Sequence, residues 1–197
     1  MSVSTAAGVG RSVDELGGLL EELVAVKCEA REVFGGLSAA QLNWKPSARQ
    51  WSVGQCFDHL IVTNSCFFPD MERVAAGTYR SGLWGRVSPL SGLFAGFILK
   101  SLDPAKGRKT KAPRVFEPAS SNVGADVVGR FASHQVELAE KMRATAGRDL
   151  RRTMVTSPVS PVATYSLLDA YRIVVAHERK HFEQARRVTE AQGFPGA

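Results

Sequence analysis

Leu167-Leu168-Asp169-Ala170-Tyr171-Arg172-Ile173-Val174-Val175-Ala176-His177-Glu178-Arg179-Lys180-His181-Phe182 is the stretch that decides how this chain folds. Leu167, Leu168, Tyr171, Val174, Val175 and Phe182, continued by Ala185 and Val188, recur at three- and four-residue spacing, the period of a helix with one buried stripe. The spacing predicts a helix over 164–192, ended by Gly193 and Pro195.

Three stretches upstream carry the same period. Over 12–34, Val13, Leu16, Leu19, Leu20, Leu23, Val24 and Val26 form a stripe; Ser12 and Glu15 have the spacing of a capping box, and Gly35-Gly36 ends the run. Over 52–75, Ser52 and Gln55 again have capping-box spacing, and Val53, Phe57, Leu60, Ile61, Phe67, Phe68 and Met71 fall on one arc. Pro69 lacks an amide proton and crowds the preceding turn, so it is expected to kink that helix or break its last turns. Over 123–146, Val127, Phe131, Leu138 and Met142 share one side. Almost nothing alternates with period two, so strands are not expected. Four amphipathic helices most simply close into an all-α four-helix bundle. At 197 residues, against roughly 100–200 per domain, the expectation is a single domain over 1–197 with a long insertion, about 76–121, between the second and third helices.

The insertion has two halves. Residues 87–99 carry no charge, reading Val-Ser-Pro-Leu-Ser-Gly-Leu-Phe-Ala-Gly-Phe-Ile-Leu, and at thirteen residues fall short of the roughly 20 that span a bilayer. Residues 100–114 hold six cations, Lys100, Lys106, Arg108, Lys109, Lys111 and Arg114, against the single acid Asp103. Two readings stand side by side: a short helix packed over the bundle's end, covering a pocket or a dimer face, and a peripheral membrane contact with its apolar face in lipid and its cations on phosphates.

That run also explains the charge. The chain has 25 Lys and Arg against 19 Asp and Glu, a net +6, and most of the excess sits in this one stretch. It lacks interleaved aromatics, and no DNA- or RNA-reading motif accompanies it, so nucleic acid is not the expected partner. With 44% hydrophobic and 22% charged residues the composition excludes a disordered chain and a disulfide scaffold. Cys28, Cys56 and Cys66 form an odd set, read as small core residues in a reducing compartment. Residues 1–10 contain no apolar signal core, so a cytoplasmic location is expected.

Chemistry concentrates in histidine. His177 and His181 stand at i and i+4 on the fourth helix, a spacing that lets two imidazoles converge on one ion. The string His177-Glu178-Arg179-Lys180-His181 matches a zinc-protease pattern, but Phe182-Glu183-Gln184-Ala185-Arg186-Arg187 replaces the glycine and third histidine of its extended form, and a peptidase is not expected. His59, at the edge of the second arc, is the better third ligand, because all three rings flank apolar arcs and can meet at one seam. His134 flanks the third arc and reads as a packed core or boundary histidine. Glu178 falls in the middle of the fourth arc, where a carboxylate must be paired or used: it would orient a ligating ring or act as a general base. Gln184 projects on the histidine side and would line a pocket; Asp58 reads as a solvated acid and Tyr171 as packing.

Leu37-Ser38-Ala39-Ala40-Gln41-Leu42-Asn43-Trp44-Lys45-Pro46, then Trp51-Ser52-Val53-Gly54-Gln55 and His59-Leu60, resembles the first half of the DinB-like (damage-inducible) superfamily, and His177-Glu178-Arg179-Lys180-His181 with Gln184 is similar to its closing helix. The likeness spans most of the chain. It implies a four-helix bundle in which His59, His177 and His181 hold a divalent metal (Zn, Ni, Fe or Mn), often in a homodimer. It further implies a metalloenzyme, since characterised relatives include bacillithiol-dependent S-transferases and a mycothiol-dependent maleylpyruvate isomerase. The reading is therefore a metal-dependent transferase taking a low-molecular-weight thiol and an electrophilic small molecule. The alternatives are a non-catalytic metal-binding bundle whose insertion contacts a partner or membrane, and a metal-dependent hydrolase.

Overall fold

The computed structural model describes residues 3–82, 91–103 and 122–196. Its elements in chain order are α1 (Val3–Phe34), α2 (Ala39–Asn43), α3 (Val53–Ser65), α4 (Phe68–Ala75), α5 (Ser91–Leu102), α6 (Val127–Ala144), β1 (Met154–Ser157), β2 (Ser160–Ser166) and α7 (Leu167–Thr189). The four long amphipathic helices expected from the sequence, α1, α3, α6 and α7, make the bundle. Helix α6 packs on α1 and α3, and α7 packs on the same two, so α1 faces α3 across one diagonal and α6 faces α7 across the other.

The helix boundaries show which local signals govern. Ser52 caps α3 as its spacing predicts: the Gln55 amide donates to Ser52 Oγ at 3.1 Å and the Ser52 amide donates to Gln55 Oε1 at 3.2 Å. The second run breaks into α3 and α4, and Pro69 lies in the first turn of α4, where its missing N–H breaks no intrahelical bond. At the end of α1, a Cβ on Gly35 would stand 2.3 Å from the Arg31 carbonyl oxygen, so the stop there requires glycine.

Other boundaries depart from the reading. Helix α1 runs from Val3, which places Ser12 inside it rather than at its start. Glu15 instead accepts hydrogen bonds from Arg151 and Arg172. Ser38 and Gln41 form a capping box that opens the short α2 and buries Leu42, an element the periodicity passed over. Helix α6 begins at Val127 rather than 123 because Val123 is held in an extended pairing, its amide donating to Asn43 Oδ1 at 2.6 Å and its carbonyl accepting from Asn43 Nδ2 at 2.9 Å.

The expectation of no strands is corrected by a hairpin. Strands β1 and β2 pair antiparallel, with Val155 opposite Tyr165 and a register shift between Thr156 and Ser157. Residues 164–166, read as the first turn of the fourth helix, belong to β2, and Ser166 then caps α7 by accepting from the Asp169 amide at 3.0 Å. The hairpin buries Val155 and Tyr165 against one end of the bundle. Residues 87–90 of the apolar run and 104–114 of the basic run lie outside the described residues; the remainder forms α5, which packs on α7 and β2.

The core is divided in two. One apolar cluster takes Leu16 and Leu23 of α1, Leu138 and Met142 of α6, and the first half of α7 from Leu167 to Val175, together with the hairpin. The other takes Val26, Ala30 and Phe34 of α1, the first half of α3, Val127 and Phe131 of α6, and Phe182, Ala185 and Val188 of α7. Edge-on and tilted ring contacts of Phe57 with Phe34 and Phe131, centroids 5.2 and 4.9 Å apart, knit this second cluster together. Between the clusters, α3, α6 and α7 each place buried polar side chains: His59, Thr63 and Asn64; His134 and Gln135; Glu178 and His181.

Candidate metal centre

The bundle geometry brings three imidazoles from two helices to one point. His59, one turn and a half into α3, and His181 on α7 are both buried; His177, one turn before His181, is partly buried. One donor nitrogen from each ring lies within 4.8 Å of the other two. His59 Nε2 and His177 Nε2 are 3.2 Å apart. Two nitrogens bound at about 2.0–2.1 Å in a tetrahedral site stand roughly 3.3 Å apart, so this pair already has the spacing of two ligands to one ion. The rings meet edge-on, with centroid separations of 4.5–5.0 Å, and the buried His181 Nδ1 has no hydrogen-bond partner.

Electrostatics keeps two of these rings, His177 and His181, unprotonated. Burial lowers the pKa of His177 to about 3, and the nearness of His59 and Lys180 disfavours a second charge there. Burial, then His177, His59 and Lys180, likewise hold His181 well below the ordinary histidine range, against the nearby Gln184 side chain, whose amide oxygen favours the protonated ring. Neutral imidazoles with free lone pairs are the form that ligates a cation. The donor set therefore fits a divalent metal.

Trp51, in the turn before α3, covers one side. Its ring stacks on His181 with centroids 5.4 Å apart and planes at 16°, and it lies 4.8 Å from the His59 ring. Its position follows from the Ser52 cap, which fixes the residue before it against the start of α3. The sequence reading used Trp51 only as part of a family motif and assigned it no place at the site.

Glu178 is fully buried, and its bonds differ from those anticipated. Oε1 accepts from Asn64 Nδ2 at 2.8 Å and from Gln135 Nε2 at 2.7 Å, rather than a histidine ring donating to it, and Oε2 has no partner. Burial raises its pKa to about 8, opposed by those two amides and by Arg179. At pH 7 the carboxyl is thus largely protonated. The contact joins α7 to α3 and α6 at the level of the histidines. Asn64 and Gln135 were not anticipated, yet the signal was present: each occupies a core position of its apolar stripe, four residues after Leu60 and Phe131 respectively.

The other candidates are placed plainly. Gln184 is partly buried and lies beside His181. His134 is buried, stacked on Phe68 at 5.2 Å with planes at 19°, and stands apart from the three converging rings. Tyr171 is core, its hydroxyl 2.9 Å from Thr145 Oγ1. Asp58 takes a 3.4 Å contact from Arg130 near the surface. Of the cysteines only Cys56 is buried, its thiol pushed up to about 12 by desolvation; Cys28 and Cys66 are exposed, which corrects their reading as core residues.

Lys180 links the insertion to this site. Between the two α7 histidines and on a neighbouring face, its Nζ donates to the Ser101 carbonyl at 3.2 Å, fastening the C-terminal end of α5 to α7. Among the described residues, no helix is long and apolar enough to cross a membrane.

A family model described as the DinB superfamily matches residues 22–185, which include all three histidines and both ends of the bundle. No curated protein and no solved structure matches the chain.

Proposed function

The chain belongs to the DinB superfamily, and from that membership and its three convergent histidines we propose that it is a metal-dependent transferase using a low-molecular-weight thiol. The carrying observation is the 3.2 Å approach of His59 Nε2 to His177 Nε2 within a trio of converging rings, of which His177 and His181 are held unprotonated. His59, His177 and His181 would hold the ion, and an all-imidazole set suits Zn, Ni or Fe, with Mn a weaker match. Bound there, a divalent metal lowers the pKa of a thiol or water brought to it, supplying a nucleophile near neutral pH.

The protein's own residues support that chemistry in distinct ways. Trp51 shields the His59 and His181 rings from one side and so keeps water from that face. Glu178, through Asn64 and Gln135, fixes the register of α7 against α3 and hence the spacing of His59 from His177 and His181. Gln184 offers an amide beside His181 for a polar group of the substrate. The α5 end is fastened to α7 by Lys180, and the cations that follow it in sequence favour an anionic thiol or electrophile.

Metal analysis and thiol-transfer assays test this together. Wild-type protein should carry about one divalent ion per chain, and His59→Ala, His177→Ala and His181→Ala should each lose it, with occupancy in the wild type persisting below the ordinary histidine range near 6.5 because burial holds His177 and His181 unprotonated there. Metal-loaded protein should transfer a bacterial thiol to a model electrophile. Full metal retention by His59→Ala overturns the cross-helix site, and stoichiometric metal without turnover across a thiol panel leaves a metal-binding bundle in place of a transferase.

A further inference from the structure

Helix α5 is apolar on two opposite sides. At about 100° per residue, Ala95, Ile98, Leu99 and Leu102 make one stripe, and these pack on the core cluster shared by α7 and the hairpin. Leu93, Phe97 and Lys100, spaced i, i+4 and i+7, make the opposite stripe. Leu93 is 70% exposed and Phe97 71%, the two most exposed large hydrophobic side chains among the described residues, and Lys100 is exposed beside them. A helix that only closed the bundle would carry polar residues on that outer stripe. The hairpin packed against α5 adds Val159 and Val162, 51% and 60% exposed.

Charge identifies what such a face fits. The outer stripe ends on Lys100, and the next fourteen residues of sequence bring five more cations against one acid. An apolar helix face that ends on a cation and is followed in sequence by a basic run matches the boundary between acyl chains and anionic headgroups. A second copy of the chain would bring the same positive charge to the contact and be repelled. No membrane-spanning helix is required, since the binding is in the plane of the surface.

We propose that the outer face of α5, Leu93 and Phe97 with Lys100 at its border, docks this protein on an anionic lipid surface. The two apolar side chains enter the acyl boundary while Lys100 remains at the phosphates. The histidine rings take no part, being buried elsewhere in the bundle. Docking would hold α5, and through the Lys180–Ser101 bond α7, at the leaflet, and it is read by vesicle binding, separately from metal content and thiol transfer.

Sedimentation of the full chain with vesicles of phosphatidylcholine alone and of phosphatidylcholine with phosphatidylglycerol tests this. Binding should appear on the anionic vesicles and weaken with salt. Leu93→Ser with Phe97→Ser should abolish it, and Lys100→Ala should lower partitioning about fivefold, the worth of one cation near such a surface. Unchanged helicity by circular dichroism shows that these exposed substitutions leave the fold intact. Equal binding by the Leu93→Ser, Phe97→Ser variant overturns the proposal, because the basic run alone then carries the interaction. Absence of binding overturns it too, as does a dimer, abolished by Phe97→Ser, in protein that ignores both vesicles.

Discussion

The middle of the bundle and the outer face of α5 break the usual division of side chains in opposite senses. In the first, His59, Asn64, Gln135, Glu178 and His181 are polar and buried; in the second, Leu93 and Phe97 are apolar and exposed. Both sit on helices whose apolar stripes otherwise follow the rule: Phe57 and Leu60 on α3, Phe131 and Leu138 on α6, Ala95 and Leu102 on α5 are buried as their period dictates. Stability would favour the ordinary choice at each place, so the exceptions mark where the chain meets something other than itself. The polar layer gathers side chains that can hold an ion, while the apolar face offers area for a surface to cover.

The largest test of this contrast is at Glu178. Glu178→Ala should leave the amide donors of Asn64 and Gln135 buried without an acceptor beside a new void, at a cost of about 2–4 kcal/mol by denaturant unfolding. Glu178→Gln keeps an acceptor for both amides and removes the burden of a buried carboxyl; its stability should stay within about 1 kcal/mol of wild type. Equal stability of the two variants would mean that the polar layer is not held together through this residue.

Metal removal comes next. With free metal about a hundredfold above its dissociation constant, binding to the folded state alone contributes about 2.7 kcal/mol. Chelation should therefore lower the melting temperature while far-ultraviolet circular dichroism still reports a helical protein, because the two apolar clusters above and below the histidines remain. A melting curve unmoved by verified metal removal would reduce the layer to a structural feature.

Protons act on the same layer in the metal-free protein. His177 and His181 are held unprotonated in the fold, so below about 6.5 the unfolded chain binds protons that the folded chain refuses, and stability falls as pH drops. Glu178 acts in reverse. Its folded pKa is raised to about 8, so above about 4.5 the fold retains a proton that the unfolded chain has released, and its contribution weakens as pH rises toward 8. Near pH 5 two rings outweigh one carboxyl by about one proton, near 1.4 kcal/mol per pH unit, and the excess shrinks toward zero as pH nears 6.5, where the unfolded chain's histidines are only half protonated. Glu178→Gln removes the opposing member and should steepen the slope toward two protons. Unfolding free energies across this range, with chelator present, decide it; a flat profile would contradict the account of the buried rings.

These expectations depend on features that the sequence disclosed unevenly. The four long helices were legible because each repeats apolar residues at helical period over several turns, and the convergence of His59 with His177 and His181 followed from their placement at the edges of those stripes. The hairpin was hidden because Pro158 and Pro161 interrupt its alternation and because Thr164, Tyr165 and Ser166 sit next to a strong helical pattern that absorbed them. The true start of α1 was hidden by the small residues before Ser12, which form no stripe. Glu178 was legible as a buried carboxyl but its partners were not. Periodicity gives the face a residue occupies on its own helix, whereas Asn64 and Gln135 meet it only through the relative axial shift of three helices.

The smallest effect is expected where the contrast is plainest, on the two sides of α5. Leu102 on the inner stripe is buried, and Leu102→Ala should cost about 2–3 kcal/mol through lost transfer energy and the void it leaves. Phe97 on the outer stripe is 71% exposed, and Phe97→Ser should change stability by no more than about 0.5 kcal/mol, since nothing packed is removed and little apolar area returns to water. Paired denaturant titrations of the two variants give the comparison directly. A loss above about 1 kcal/mol for Phe97→Ser would mean that the chain itself covers this ring, and the two regions would no longer be opposites. A neutral result sharpens the comparison instead: an aromatic side chain whose removal costs the fold nothing contributes nothing to folding either, which leaves contact with an external surface as the role its exposure can serve.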